Sequence, residues 1–147
     1  MNESDVTKQE GRMQIVIQGK PIAKKRPRFV RRGKFVGTYN AQETEEGRWI
    51  LEAKSQVSQC YMEGPVIANM EFIMPMPKSL RKRDVALVEA GRYYHTKKPD
   101  LDNMVKFVKD CLNGLAWRDD SQVVKLTATK RYGRDPGTVI ELRGVFG

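Results

Sequence analysis

The apolar positions follow two periods along the first half of the chain. Met13, Ile15 and Ile17 alternate with Gln14, Val16 and Gln18, which predicts a β-strand closing at Gly19. Ahead of it, residues 1–11 are polar and aperiodic and read as a flexible leader, leaving residues 12–147 for one domain. From Lys20 to Lys34 the chain holds eight basic residues and no acidic one, broken by Pro21, Pro27 and Gly33. That spacing excludes a regular helix and predicts an extended basic loop, followed by a short strand over 35–39. Asn40 with Glu43 then forms a capping pair, and Ile50, Ala53, Val57 and Cys60/Tyr61 recur at helical spacing. The prediction is a helix of about five turns, with Glu43, Glu45 and Glu46 suited to its positive end.

After Gly64-Pro65 comes a strand, Val66 to Met74, closed by Pro75-Met76-Pro77. Ser79 to Ala90 predicts a short basic helix stopped by Gly91, and Tyr93, Tyr94, His95, Lys97 and Lys98 lead on to Pro99. A second clear helix runs from Asp102 to about Asn113-Gly114, with an apolar stripe of Leu101, Met104/Val105, Val108, Cys111/Leu112 and Leu115. Trp117 to Ser121 reads as a turn. Gln122–Tyr132 and Thr138–Phe146 read as the two strands of a hairpin around residues 133–137. The order strand, helix, strand, helix, strand, strand gives a single α+β domain with a mixed β-sheet and two main helices.

Charge changes the picture next. Of 147 residues, 27 are Lys or Arg and 18 Asp or Glu, for a net charge of +9. Such a surface draws polyanions, nucleic acid foremost. No window approaches the ~20 apolar residues of a membrane span, and the polar start MNESDVTKQEGR has no export signal, so a cytoplasmic protein without membrane partners is expected. Cys60 and Cys111 are then expected as reduced core thiols. With one histidine, His95, and two distant cysteines, a structural zinc site is excluded. Trp49 and Trp117 read as core or dimer-contact residues.

Inside this basic chain, residues 99–122 gather acids: Asp100 and Asp102 at the mouth of the second helix, and Asp119-Asp120 after its end. Magnesium takes oxygen ligands, commonly carboxylates with water and phosphate oxygens, and can activate water for phosphodiester hydrolysis. Lys106, one turn past Asp102 on the same face, is placed to offset carboxylate repulsion or hold a phosphate. Plainer readings stand beside this one: Asp102 as a helix cap, Asp102–Lys106 as an exposed ion pair worth ~0.3–0.5 kcal/mol, and Asp119-Asp120 as a solvated turn. A four-turn helix spans ~20 Å, so the two acidic pairs meet only if the chain folds back along it. Pro99-Asp100 also suits a PD-(D/E)xK nuclease, but the positions two before Lys106, Lys109, Lys125 and Lys130 are Met104, Phe107, Val123 and Ala128, which excludes that class.

The run KKPDLDNMVKFVKDCLNGLAWRDDSQV resembles the signature of the RusA family of junction resolvases: acid-x-acid-Asn, a lysine one turn later, Asp-x-Leu near the helix end, then Trp-x-Asp-Asp-x-Gln. Asp110-Cys111-Leu112 supplies the third part, and the likeness extends loosely to Glu71, Met74-Pro75 and the final two strands. The resemblance implies a RusA-like fold and a homodimer that cuts four-way DNA junctions symmetrically with Mg²⁺, or Mn²⁺, and no organic cofactor. It implies Asp100, Asp102 and Asp120 as metal ligands and Lys106 as the catalytic lysine. Asn103 falls on the motif's asparagine, a contact to DNA or behind the ligands, and Asp119 is the other member of its pair. Glu71 reads either as a further acid behind the ligands or as an ordinary strand residue. Residues 77–98 are longer than the shortest family pattern, which bears on how DNA is gripped.

Candidate phosphate contacts are Lys24, Lys25, Arg26, Arg28, Arg31 and Arg32 in the first basic segment, Arg81, Lys82 and Arg83 in the second, and Lys97 and Lys98 before the acids. Each cluster has a plainer reading as a solvated surface. Tyr93 and Tyr94, like Phe29 and Phe35, are open between stacking on unpaired bases and packing on the core. A structure-selective endodeoxyribonuclease is expected. Its rivals are a branched-DNA-binding module that does not cut, and a less selective metal-dependent nuclease.

Overall fold

A computed structural model of the chain describes residues 11–24, 28–32, 35–39, 43–57 and 61–145. Leader residues 1–10, Lys25, Arg26, Asn40 and Cys60 lie outside the described residues. The strands are β1 (Arg12–Gln18), β2 (Arg28–Arg32), β3 (Phe35–Tyr39), β4 (Val66–Met74), β5 (Val123–Tyr132) and β6 (Gly137–Gly144). The helices are α1 (Glu43–Lys54), α2 (Lys82–Glu89) and α3 (Leu101–Leu112), and one 3-10 turn, Asp120–Gln122, precedes β5. This is the expected α+β domain, with one helix more than the two main ones.

A mixed four-stranded sheet runs in the order β1-β6-β4-β5. The central pair is antiparallel and β4 pairs with β5 in parallel. Alternation sets its faces: on β4, Val66, Ala68, Met70, Phe72 and Met74 are buried, while Ile67, Asn69, Glu71 and Ile73 face the other way. Ile15, Ile17, Ile140 and Leu142 join the buried side, and α1 and α3 cover it with Trp49, Ala53, Met104, Phe107 and Val108. Trp49 meets Phe107 edge to face at 5.7 Å. Each such side chain contributes about 1.5–3 kcal/mol on burial, which fixes α3 on the sheet.

Three expectations are corrected. Part of the basic loop is regular: β2 and β3 form a separate two-stranded antiparallel sheet, with Arg28 opposite Tyr39. Helix α1 stops at Lys54 although the apolar spacing continues. The Gln56 side chain turns to β1, accepting from the Val16 N–H and donating to its carbonyl, both at 2.8 Å. Satisfying a strand edge outweighs another helical turn.

The final two strands are not a hairpin. They flank β4, so residues 133–136 cross over its end. Three strands side by side place the outer two about 9.6 Å apart, within reach of four extended residues. Gly133 makes the crossing: its N–H donates to the Met74 carbonyl at 3.0 Å, and a Cβ there would overlap Ile73 Cγ2.

Candidate active site

Helix α3 carries the first acids because its amphipathic pattern leaves them outside. Met104, Val105, Phe107, Val108, Cys111 and Leu112 are buried, whereas Asp102 and Lys106 are exposed on the opposite stripe. Asp100 is the N-cap residue by backbone conformation, yet its side chain makes no capping hydrogen bond. Asp102 lies inside the first turn, so it is not the cap, and no ion pair joins it to Lys106. Both plainer readings of this pair fail, and among the described residues both carboxylates stand without a protein partner.

The acids after α3 divide their tasks. Asp119 caps the 3-10 turn, Oδ2 accepting from the Ser121 N–H at 3.0 Å. Those bonds to Ser121 hold its carboxyl below the usual carboxylate range. Gln122 staples the turn in place: Oε1 accepts from the N–H groups of Arg118 and Asp119, and Nε2 donates to the carbonyls of Met62 and Gly64. Trp117, fully buried, donates Nε1–H to Asn113 Oδ1 at 2.7 Å. In Trp-x-Asp-Asp-x-Gln, then, tryptophan anchors, the first aspartate caps and glutamine staples. The Asp120 carboxylate has no partner among the described residues.

The two acidic groups do not meet within one chain. Asp100 begins α3 and Asp120 follows its end, and twelve helical residues span about 18 Å. The chain does fold back, because β5 returns along the sheet beside β4. What it carries to the mouth of α3 is Lys130, whose Nζ donates to the carbonyls of Lys97 at 2.7 Å and Pro99 at 2.8 Å. The Lys98–Pro99 peptide between those carbonyls is cis. Among the described residues no three His, Cys, Asp or Glu side chains converge on a point where a metal ion would sit.

The remaining candidates are placed as follows. Asn103 gives its backbone carbonyl to the Lys24 N–H at 3.0 Å, and Lys24 Nζ lies 3.3 Å from Asp110, so Lys24 docks its segment onto α3. Glu71 faces the side of the sheet opposite α1 and α3, bound to Arg131 at 2.6 Å, which takes it away from α3. Arg28, Arg31 and Arg32 lie on β2. Arg81, Lys82 and Arg83 are exposed at the start of α2, and Lys97 and Lys98 are exposed before Pro99. Trp49, Trp117 and Cys111 are core residues. His95 is a buried polar residue, its ring 5.0 Å from that of Tyr132.

Reading the sequence alone gave no role to Lys130, and placed Gln122 in the motif without its stapling bonds. A signal for the first exists: Lys130 is in phase with Leu126, Ala128 and Tyr132 on one face of β5, and a lysine on such a face needs partners.

A model of the family described as endodeoxyribonuclease RusA matches residues 18–143. An uncharacterized protein of Bacillus subtilis, YqaN, is 36% identical over 137 residues, covering 90% of this chain and 96% of that protein. The matched span takes in β4, β5 and all but the last residue of β6, only the last residue of β1, all of α3 and both acidic groups. With its mixed sheet, the free acids at the mouth of α3 and the stapled turn, the chain belongs to the RusA endodeoxyribonuclease family.

Proposed function

We propose that the protein resolves four-way DNA junctions as a Mg²⁺-dependent homodimer, each protomer hydrolysing one strand at a symmetry-related position. The observation that carries this reading is the pair of exposed carboxylates at the mouth of α3, Asp100 and Asp102, unengaged among the described residues, with Lys106 one turn beyond Asp102 on its face. Their oxygens suit a hard divalent cation that keeps some of its water. Such an ion would supply an activated water and offset negative charge on the phosphate. Lys106 holds the phosphate from the same face, and Lys130 fixes the backbone that leads into both acids.

Asp120 is the third carboxylate of the reading, and its distance along α3 gives the homodimer a purpose. A two-fold-related copy lying against the helix brings the partner subunit's Asp120 toward Asp100 and Asp102. A four-way junction has matching two-fold symmetry, so one dimer presents one complete site to each of two strands. The basic segments contribute affinity through backbone phosphates, which falls steeply with salt. Selectivity comes from branch shape.

The test is strand cleavage of an end-labelled four-way junction beside a linear duplex of the same sequence, with Mg²⁺ and with Mn²⁺. Paired, symmetric nicks confined to the junction are expected, and Asp102→Asn is expected to bind the junction and cut nothing. Equal cutting of both substrates would replace the reading with a general nuclease. Binding without cutting would replace it with a non-catalytic module, and cutting by Asp102→Asn would remove the assigned site.

A further inference from the structure

The fold separates the two tyrosines that precede the acids. Tyr93 is half-buried, its ring 5.0 Å from that of Tyr132. Tyr94 is 57% exposed. Its backbone is nonetheless pinned, because Tyr94 bridges to Arg131 on β5. On either side the Tyr132 N–H donates to the Tyr93 carbonyl at 2.8 Å, and the His95 N–H to the Lys130 carbonyl at 3.2 Å. A large aromatic ring is thus held out toward solvent on fixed backbone. Beside it opens a cleft of about 460 Å³ walled by Tyr93, Tyr94 and Tyr132, with Lys78, Ser79 and Lys97 at its margin and no acidic residue among those lining it.

A single exposed aromatic is ordinary. An exposed ring over a cleft edged only by basic and neutral side chains is a different surface: it offers a flat π-face for a base and ammonium groups for a phosphate. We propose that this cleft is a nucleotide subsite, taking one unpaired nucleotide of branched DNA with its base on Tyr94 and its phosphate against Lys78 and Lys97. The proposal rests on the DNA-cutting reading above and adds what that reading leaves open, the feature of the branch that is gripped. Stacking of this kind tolerates any base, since every base has a π-face, and a base that is already unpaired leaves its stack at least cost.

The cleft is wired to the acids. Lys97 lines the cleft and gives its carbonyl to Lys130, which also holds the Pro99 carbonyl. Two residues, Lys98 and Pro99, separate Lys97 from Asp100, at most about 11 Å of chain. A nucleotide seated on Tyr94 therefore fixes where the neighbouring phosphodiester lies along the mouth of α3. This is a role for the segment 77–98, which supplies most of the cleft wall.

The experiment uses the full chain with Ca²⁺ in place of Mg²⁺ and a four-way junction carrying 5-iodouracil at the nucleotides flanking the crossover. After irradiation the cross-linked peptide is mapped by mass spectrometry, and affinities of wild type, Tyr94→Ala and Tyr94→Phe are measured for the junction and for a linear duplex. Cross-linking at Tyr94 is expected. Tyr94→Ala should bind the junction about ten-fold more weakly, with the duplex unchanged and Tyr94→Phe matching wild type. A cross-link outside the cleft, or a Tyr94→Ala protein that binds and cuts the junction like wild type, would overturn the subsite while leaving the nuclease reading intact. Cross-linking at Tyr94 by a protein that cuts nothing under Mg²⁺ or Mn²⁺ would do the reverse.

Discussion

Lys130 donates its ammonium to the carbonyl of Pro99 across 2.8 Å, immediately before the first aspartate of the site. A second bond to the Lys97 carbonyl makes this a two-point clamp from β5 on the entrance to α3. Hydrogen bonds from a charged donor contribute about 1.5–3 kcal/mol each, so the clamp determines where Asp100 and Asp102 stand. Replacing Lys130 with Met keeps the stem and removes both bonds. Junction-cutting kcat should fall about ten-fold to a hundred-fold, because small displacements of reacting groups are expensive, while KM changes little. A Lys130→Met protein with a raised KM and unchanged kcat would show that Lys130 contacts DNA instead.

The division of tasks between Asp119 and Asp120 gives a sharper contrast. Asparagine caps a helical turn about as well as aspartate, so Asp119→Asn should fold and cut close to wild type. Asp120→Asn removes the unengaged carboxylate and should abolish cutting, with melting temperature unchanged. Equal loss of cutting in both variants would break the distinction.

Acid should reveal His95. Burial first, then Lys130, Lys97 and Lys20, lower its affinity for a proton below that of a free imidazole. The unfolded chain therefore takes up a proton below pH ~6.5 that the folded chain refuses, so stability is full above that pH and declines as pH falls through it toward the lowered folded value. Nδ1 is buried and makes no hydrogen bond among the described residues, so His95→Phe sacrifices no such bond. Urea midpoints measured between pH 7.5 and 5.5 should fall for wild type and flatten for His95→Phe. Parallel slopes would place the acid sensitivity elsewhere.

Cys111 should be inert in the folded protein. Burial, reinforced by the Glu46 carboxylate 3.8 Å from its sulfur, pushes the thiol up to about 12. Thiolate is the reactive form, so alkylation at pH 8 followed by peptide mapping should leave Cys111 unmodified until denaturant is added. Rapid labelling under native conditions would mean that α3 lifts from the sheet.

Where local pattern and tertiary demand agree, the elements are legible: β4 was expected over Val66–Met74 and runs over those residues, since one face is continuously apolar and prolines close it. The acidic groups were equally plain, because their residue types and spacing are written locally. Strand pairing is not local. Residues 122–146 carry every mark of a hairpin, and nothing in them announces that β4 lies between their two strands. Lys130 was hidden for the same reason, its partners being carbonyls more than thirty residues away. Gln56 ended α1 early through bonds to a strand that precedes the helix.

The strand order has a consequence for how the chain acquires its shape. β6 comes after the other described strands in sequence but lies between β1 and β4, so those two are joined only through it, with Arg12 finding Arg143 as partner. Pairings between such distant residues slow folding. During synthesis β4 and β5 can zip together early, and the β1 segment must wait beside an unfilled gap for nearly the whole chain to emerge. The scaffold that carries the acids is thus closed late, by its final strand.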